Sequence, residues 1–210
     1  MDVAVTADGI VVLSHDPILP SGALLRDLDG VPLPRLDEVV RLEPQAMLAI
    51  ELKTFPDHPE WTVAPEAMAD AVLAVLDRAG ATARARIISF DWRGLRYLHR
   101  SRPDLSLGYL TDADTVAAAR LWWDGPSPED FGGSVPRAVA AEGGTIWGPD
   151  FTTLTRSEVE AAAALGLLVN PWTVNEPKDM ARLIGWGVGA LTTDYPDRAL
   201  AVMAQSASSG

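Results

Sequence analysis

The sequence predicts a parallel α/β barrel, and three observations predict it. Short apolar runs alternate with amphipathic helical stretches along the whole chain, which is the rhythm of repeated β-α units. The length, 210 residues, suits one domain of this kind. Polar residues also recur where the apolar runs end, and that end of the strands is where such barrels keep their active sites.

The first run covers residues 2–6. Ala7-Asp8-Gly9 and a second run at 10–13 follow. Asp-Gly between two apolar runs signals a hairpin, because glycine adopts φ > 0 without steric cost. Residues 16–36 are rich in proline and glycine and read as irregular. A strand is predicted at 47–52. A helix follows from about Pro65, with Met68, Ala71, Val72, Val75, Leu76 and Ala79 in one stripe and Gly80 as its stop. Residues 87–90 form the next strand, and Asp91 can cap the helix that turns Leu95 and Leu98 inward. A strand at 105–110 and an alanine-rich helix at about 113–122 come next, then a loop at 124–136.

Gly143-Gly144 lead into a strand at 145–147. Thr155-Arg156-Ser157-Glu158 is a capping box opening a helix to Leu165. Residues 167–172 read as a strand, and Asn175 can cap a helix ending at Gly185 or Gly187. A last strand is predicted at 190–193, with Pro196 starting the final helix. Seven parallel strands result, where a closed barrel takes eight. The domain reading is a single incomplete barrel over 1–204, followed by a disordered tail over 205–210.

Composition narrows the function. Hydrophobic residues make up 48% and charged residues 22%, an ordinary globular balance. The net charge of −12 argues against a nucleic-acid partner, since that binding runs on Lys and Arg against phosphates. There is no cysteine, which excludes disulfides, thiolate catalysis and Cys-ligated zinc or iron–sulfur centres. No run reaches the roughly 18–20 apolar residues that span a membrane. No signal peptide is visible, so a cytoplasmic location is expected.

Side-chain alternation makes the strand at 47–52 informative. Leu48, Ile50 and Leu52 share one face; Ala49, Glu51 and Lys53 share the other. The aliphatic face should meet the helices, which places Glu51 and Lys53 at the barrel mouth. A carboxylate there needs a partner or a cation, so the two could form a simple ion pair or part of a site. Asp2 lies on the first strand and His15 at the end of the hairpin. His58, in a loop, and His99, mid-helix, read as structural. Trp172 lies on the strand face of Leu168 and Asn170, and Asp194 either reaches the mouth or caps the last helix. No phosphate-binding glycine loop or nucleophile elbow occurs.

The run from Asp2 to Asp16, with Asp2-Val3-Ala4-Val5-Thr6-Ala7-Asp8-Gly9 leading to Ser14-His15-Asp16, resembles the signature of glycerophosphodiester phosphodiesterases. Pro34-Arg35-Leu36-Asp37-Glu38, Ile50-Glu51-Leu52-Lys53, Ser89-Phe90, Trp172-Thr173-Val174-Asn175 and Thr193-Asp194-Tyr195-Pro196 are similar to later family segments, in order. The resemblance implies a TIM (β/α)8 barrel of the PLC-like phosphodiesterase type. It implies that Asp2 and Glu51 are metal ligands for Mg²⁺ or Ca²⁺, that His15 is a catalytic histidine, that Lys53 faces the phosphate and that Trp172 lines the substrate pocket. The implied reaction is metal-dependent hydrolysis of a glycerophosphodiester to glycerol 3-phosphate and an alcohol, within lipid metabolism.

The family pattern also has a strand ending in His-Arg-Gly, a helix and a further glutamate, for which this sequence has no counterpart; the Arg-Thr-Thr run after His-Asp is replaced at 19–25. The expectation is therefore a barrel without its first β-α unit, from a native chain longer by roughly 40–50 residues. This chain alone is expected to turn over weakly or not at all, and to self-associate through exposed sheet edges. The alternatives are a catalytically degenerate barrel serving as an interaction module, and a related phospholipase on the same barrel.

Overall fold

The computed structural model describes residues 1–42 and 44–207. The chain forms two compact units, Met1–Tyr109 with Ala118–Pro126, and Leu110–Ala117 with Ser127–Gly210.

In the first unit, β1 (Asp2–Val5) and β2 (Val11–Leu13) form the predicted antiparallel hairpin, with Val3 opposite Leu13 and Val5 opposite Val11. The turn rests on Gly9, whose φ is 77° and whose amide donates to the Thr6 carbonyl at 2.9 Å. Then come α1 (Leu36–Leu42), β3 (Leu48–Leu52), α2 (Pro65–Arg78), β4 (Ala85–Ser89), α3 (Trp92–Ser101) and β5 (Ser106–Thr111). β1, β3, β4 and β5 are neighbours in parallel, and β2 lies outside β1. Along β3, Leu48, Ile50 and Leu52 are buried while Ala49 is exposed, the predicted alternation.

The aliphatic face of β3 meets helix α3 closely. A Cβ at Gly94 would stand 3.3 Å from Leu52 Cδ1, so only glycine allows this approach without displacement. On α2 the inward stripe includes Met68, Val72, Val75 and Leu76 as predicted, but Ala69 and Leu73 are buried in place of Ala71 and Ala79. Asp91 caps α3 by accepting from the Arg93 amide at 3.1 Å.

The helix predicted over 113–122 is two pieces, α4 (Ala113–Ala117) and α5 (Ala119–Trp122), separated at Ala118 with φ −103° and ψ 28°. Just past α5, Trp123 enters the core of the first unit and stacks on Trp92 with ring centroids 4.0 Å apart and planes within 3°. Tyr109 meets Trp92 edge-on at 4.8 Å. Each such ring buries on the order of 150–250 Å², so this trio anchors the start of α3.

The second unit contains the end of β5, α4, α6 (Val135–Ala141), β6 (Ile146–Pro149), α7 (Arg156–Ala164), β7 (Leu168–Val169), α8 (Pro177–Trp186) and α9 (Pro196–Ala207). Ile146 pairs with Leu168 and Trp147 with Val169, in parallel. The capping box at Thr155 and Glu158 opens α7 as predicted. The predicted strand over 167–172 is shorter, and no strand forms over 190–193. Proline interrupts both ladders. Toward β6, the bond to the Asn170 carbonyl would come from residue 149, and Pro149 has no N–H, so regular pairing lapses between Val169 and the Asp150–Trp172 bridge. The amides of Ala190 and Thr192 donate to the carbonyls of Val169 and Pro171, at 3.2 and 3.0 Å. The return bond of a parallel ladder would come from residue 171, and Pro171 has no N–H to give.

The N-cap position of α8 is Glu176, not Asn175. The last helix runs to Ala207, three residues into the stretch read as a tail; residues 208–210 lie outside the described residues. Among the described residues no helix is long and apolar enough to cross a membrane.

Replacing Trp92 by alanine should cost about 3–5 kcal/mol, the usual range for emptying a buried aromatic site. Urea denaturation checks this, and a loss under about 1 kcal/mol would show that the trio does not anchor the unit.

Candidate active site

Parallel pairing aligns Asp2 of β1 directly with Glu51 of β3, and Val3 with Leu52. Aligned residues on adjacent strands point to one face, and Lys53, two residues on, shares it. The three side chains meet. Lys53 Nζ lies 2.7 Å from Glu51 Oε1 and 3.9 Å from Asp2 Oδ1. Lys53 and Glu51 are each 12% exposed and Asp2 28%. Despite the close ammonium, Glu51 Oε1 is buried without a hydrogen bond of good geometry.

Burial pushes the Glu51 carboxyl above its ordinary value of 4.5, and the nearby Asp2 charge adds to that shift while Lys53 opposes it. Desolvation disfavours the charged form unless a counter-charge offsets it. Two carboxylates share one ammonium here, so the offset is incomplete.

His15 stands apart from this cluster. The hairpin returns the chain to the level of Asp2, where the Ser14 amide donates to the Asp2 carbonyl at 3.0 Å. The His15 ring beyond it is 73% exposed and pairs through Nδ1 with Asp16 Oδ1 at 2.9 Å. His58 stacks on Trp61 with centroids 3.8 Å apart and pairs with Glu60 at 3.3 Å, and His99 lies in α3.

In the second unit, the Trp172 indole N–H donates to the Gly148 carbonyl at 2.8 Å, and Trp172 bridges Asp150 across the strand ends. Asn175 ties two loops together. Its Nδ2 donates to Asp194 Oδ2 at 2.9 Å, and its Oδ1 accepts from Thr193 Oγ1 and from the Asp194 amide. Asp194 therefore serves this tie. A cavity of about 190 Å³, lined by Thr111, Val116, Trp147, Leu154 and Glu158, lies within the same unit.

Sequence reasoning missed the buried polar layer beside Lys53, formed by Thr54, Ser89 and Asp91. Three oxygen-bearing side chains at two neighbouring strand ends were the available signal.

Among the described residues no group of three or more His, Asp or Glu is placed to share a metal ion. The donors present still fit a hard divalent cation. Mg²⁺ is commonly held by one or two carboxylates, with water and substrate phosphate completing its shell. Asp2 and Glu51 supply two, and the unsatisfied Glu51 Oε1 is the kind of atom a cation satisfies.

Strands alternating with helices, with charged side chains gathered at neighbouring strand ends, place the protein in the parallel α/β-barrel class. The model of the Glycerophosphoryl diester phosphodiesterase family matches residues 21–198, and the chain belongs to that family. Glu51, Lys53 and Trp172 fall inside the matched span; Asp2 and His15 precede it.

A Bacillus subtilis (strain 168) glycerophosphodiester phosphodiesterase is 31% identical over 172 residues, covering 80% of this chain. The chain spans 53% of that relative's length. A solved glycerophosphoryl diester phosphodiesterase candidate from Silicibacter pomeroyi DSS-3 superposes with a TM-score of 0.82 at 29% identity, over 98% of this chain and 82% of that one. An Oleispira antarctica phosphodiesterase, solved with its product sn-glycerol-3-phosphate, shares the fold with a TM-score of 0.76 at 19% identity, over 96% and 83%.

The Glu51 environment makes stability depend on pH. The folded chain holds the Glu51 proton more tightly than the unfolded chain does. The penalty for burying Glu51 in its charged form is therefore absent below the ordinary carboxylate range, and grows as pH rises from 4.5 through the elevated folded value. Stability of the native chain relative to Glu51→Gln should fall over that window and then level off. Lys53→Met should destabilise at pH 7 toward the lower end of the roughly 3–5 kcal/mol seen for broken buried pairs, and less at pH 4. Thermal unfolding of the three chains across pH measures both; a Lys53→Met cost independent of pH would contradict the assignment.

Proposed function

We propose that the chain acts on glycerophosphodiesters by metal-dependent hydrolysis, releasing glycerol 3-phosphate and an alcohol. Family membership and the 31% identical Bacillus subtilis glycerophosphodiester phosphodiesterase support this reading. The observation that carries it is the convergence of Asp2, Glu51 and Lys53 on one face of adjacent parallel strands.

In this reading Asp2 and Glu51 hold a divalent cation, Mg²⁺ or Ca²⁺. The cation, when bound, polarises the phosphoryl oxygen and offsets charge in the transition state. Two carboxylates and one ammonium leave the cluster with one net negative charge, which repels a phosphodiester. A divalent cation reverses that sign, so metal binding and substrate binding support each other. Lys53 contributes a compact positive charge to the phosphate. His15, largely exposed and paired with Asp16, protonates the departing alcohol as a general acid.

The test is release of glycerol 3-phosphate from glycerophosphocholine with Mg²⁺ or Ca²⁺. Slow turnover is expected, abolished by EDTA, and at least about 100-fold lower in Glu51→Ala and His15→Ala. Absence of turnover on every glycerophosphodiester with either metal overturns the hydrolase reading. Retained binding of glycerophosphocholine in that case would favour the degenerate barrel.

A further inference from the structure

A closed polar network joins the ends of β3 and β4 beside the site. Ser89 Oγ donates to the Leu52 carbonyl at 2.8 Å, and the Asp91 amide donates to Ser89 Oγ at 3.2 Å. Thr54 Oγ1 donates to Asp91 Oδ2 at 2.8 Å. Arg93 completes the shell of Asp91, from its amide and Nε to Oδ1 at 3.1 and 2.9 Å and from Nη2 to Oδ2 at 2.7 Å. Asp91 is fully buried, and Ser89 and Thr54 nearly so.

Leu52 and Thr54 are the two chain neighbours of Lys53. The network therefore grips the chain on both sides of that lysine, by the carbonyl before it and the side chain after it. The Lys53 amide itself makes only a long bond, 3.4 Å, to the Val3 carbonyl. Capping α3 requires only that Asp91 accept from the Arg93 amide. The bonds from Thr54 and through Ser89 exceed what capping needs, and both lead to the neighbours of Lys53. Burying a carboxylate at full cost is tolerated only where every acceptor site is used, and here four donors reach Asp91.

Lysine has a long, freely rotating stem. Its ammonium can be fixed 2.7 Å from Glu51 only if the stem leaves the strand at a fixed point and angle. We infer that Thr54, Ser89 and Asp91 are positioning residues that set the Lys53 ammonium against Glu51 and Asp2. The consequence for hydrolysis rests on the reading of Lys53 as the phosphate-facing group; the positioning itself does not.

The experiment compares Thr54→Val, which keeps shape and removes the hydroxyl, with Thr54→Ser, which keeps the hydroxyl. The first readout is the order of the Lys53 ammonium, by ¹⁵N relaxation of its Nζ. Order should fall markedly in Thr54→Val and be restored in Thr54→Ser. Ser89→Ala supplies a second variant should Thr54→Val fail to fold, with the same loss expected. An ammonium as ordered in folded Thr54→Val or Ser89→Ala as in the native chain overturns the inference. The second readout is turnover of glycerophosphocholine, with kcat falling about 10–100-fold in Thr54→Val at nearly constant KM and recovering in Thr54→Ser. If the native chain shows no turnover, the hydrolase reading fails, and the ammonium measurement alone still decides the positioning role.

Discussion

Ionising Glu51 within the sheet requires positive charge close by, and much of the site follows from that requirement. Glu51 lies between Ile50 and Leu52, whose side chains are buried on the opposite face. A spacing of two residues brings Lys53 to the same face of the same strand. Parallel register adds Asp2 from β1. The result is two acids around one base, with the buried acid held above its ordinary pKa. Such a cluster is short of positive charge. In the proposed reading a divalent cation would make up that deficit, and would turn a surface that repels phosphate into one that attracts it.

The same short stretch of chain carries both the packing and the polar chemistry. Helix α3 approaches β3 so closely that Gly94 has Leu52 Cδ1 against it. The Trp92 ring at the helix start is held between Trp123 and Tyr109. Asp91, one residue earlier, is thereby delivered to the ends of β3 and β4, where it is fully buried and fully hydrogen-bonded. Close packing on the aliphatic face of the sheet thus fixes the polar layer beside Lys53. A core change at Trp92 and a polar change at Thr54 act on the same junction from opposite directions, and their effects should not add independently.

What the sequence reveals here is what depends on local chemistry. The Asp8-Gly9 turn, the alternation along 48–52, the Asp91 cap and the Thr155–Glu158 capping box each involve residues within a few positions of one another, so spacing alone identifies them. Other features depend on partners far away in sequence. The short β7 follows from an N–H that Pro149 lacks toward Asn170, and the missing strand at 190–193 from one that Pro171 lacks toward a segment about twenty residues later. Asn175 reads as a helix cap by position, yet its amide is used by Thr193 and Asp194. Glu51 and Lys53 are legible as a pair because they are two residues apart. The Thr54–Asp91 bond spans 37 residues, and no local pattern announces it.

The hairpin shows why two residues of one motif differ in the precision of their placement. Asp2 belongs to the sheet: the Glu51 amide donates to the Met1 carbonyl at 2.9 Å, and the Ser14 amide to the Asp2 carbonyl at 3.0 Å. Bonds to both neighbouring strands hold its backbone, so its carboxylate is offered at a fixed place. His15 follows the last ladder pair, Val3 with Leu13, and its ring pairs with the adjacent Asp16 at 2.9 Å. This division suits the chemistry proposed for each. A metal ligand must keep its geometry, most of all for Mg²⁺, whose octahedral coordination tolerates little displacement. A general acid must change its hydrogen-bond partner during a turnover, and its catalytic geometry commonly tightens only when substrate is present. An exposed histidine just beyond a hydrogen-bonded hairpin leaves its ring open to a substrate, which suits the proton delivery to a departing alcohol proposed for it.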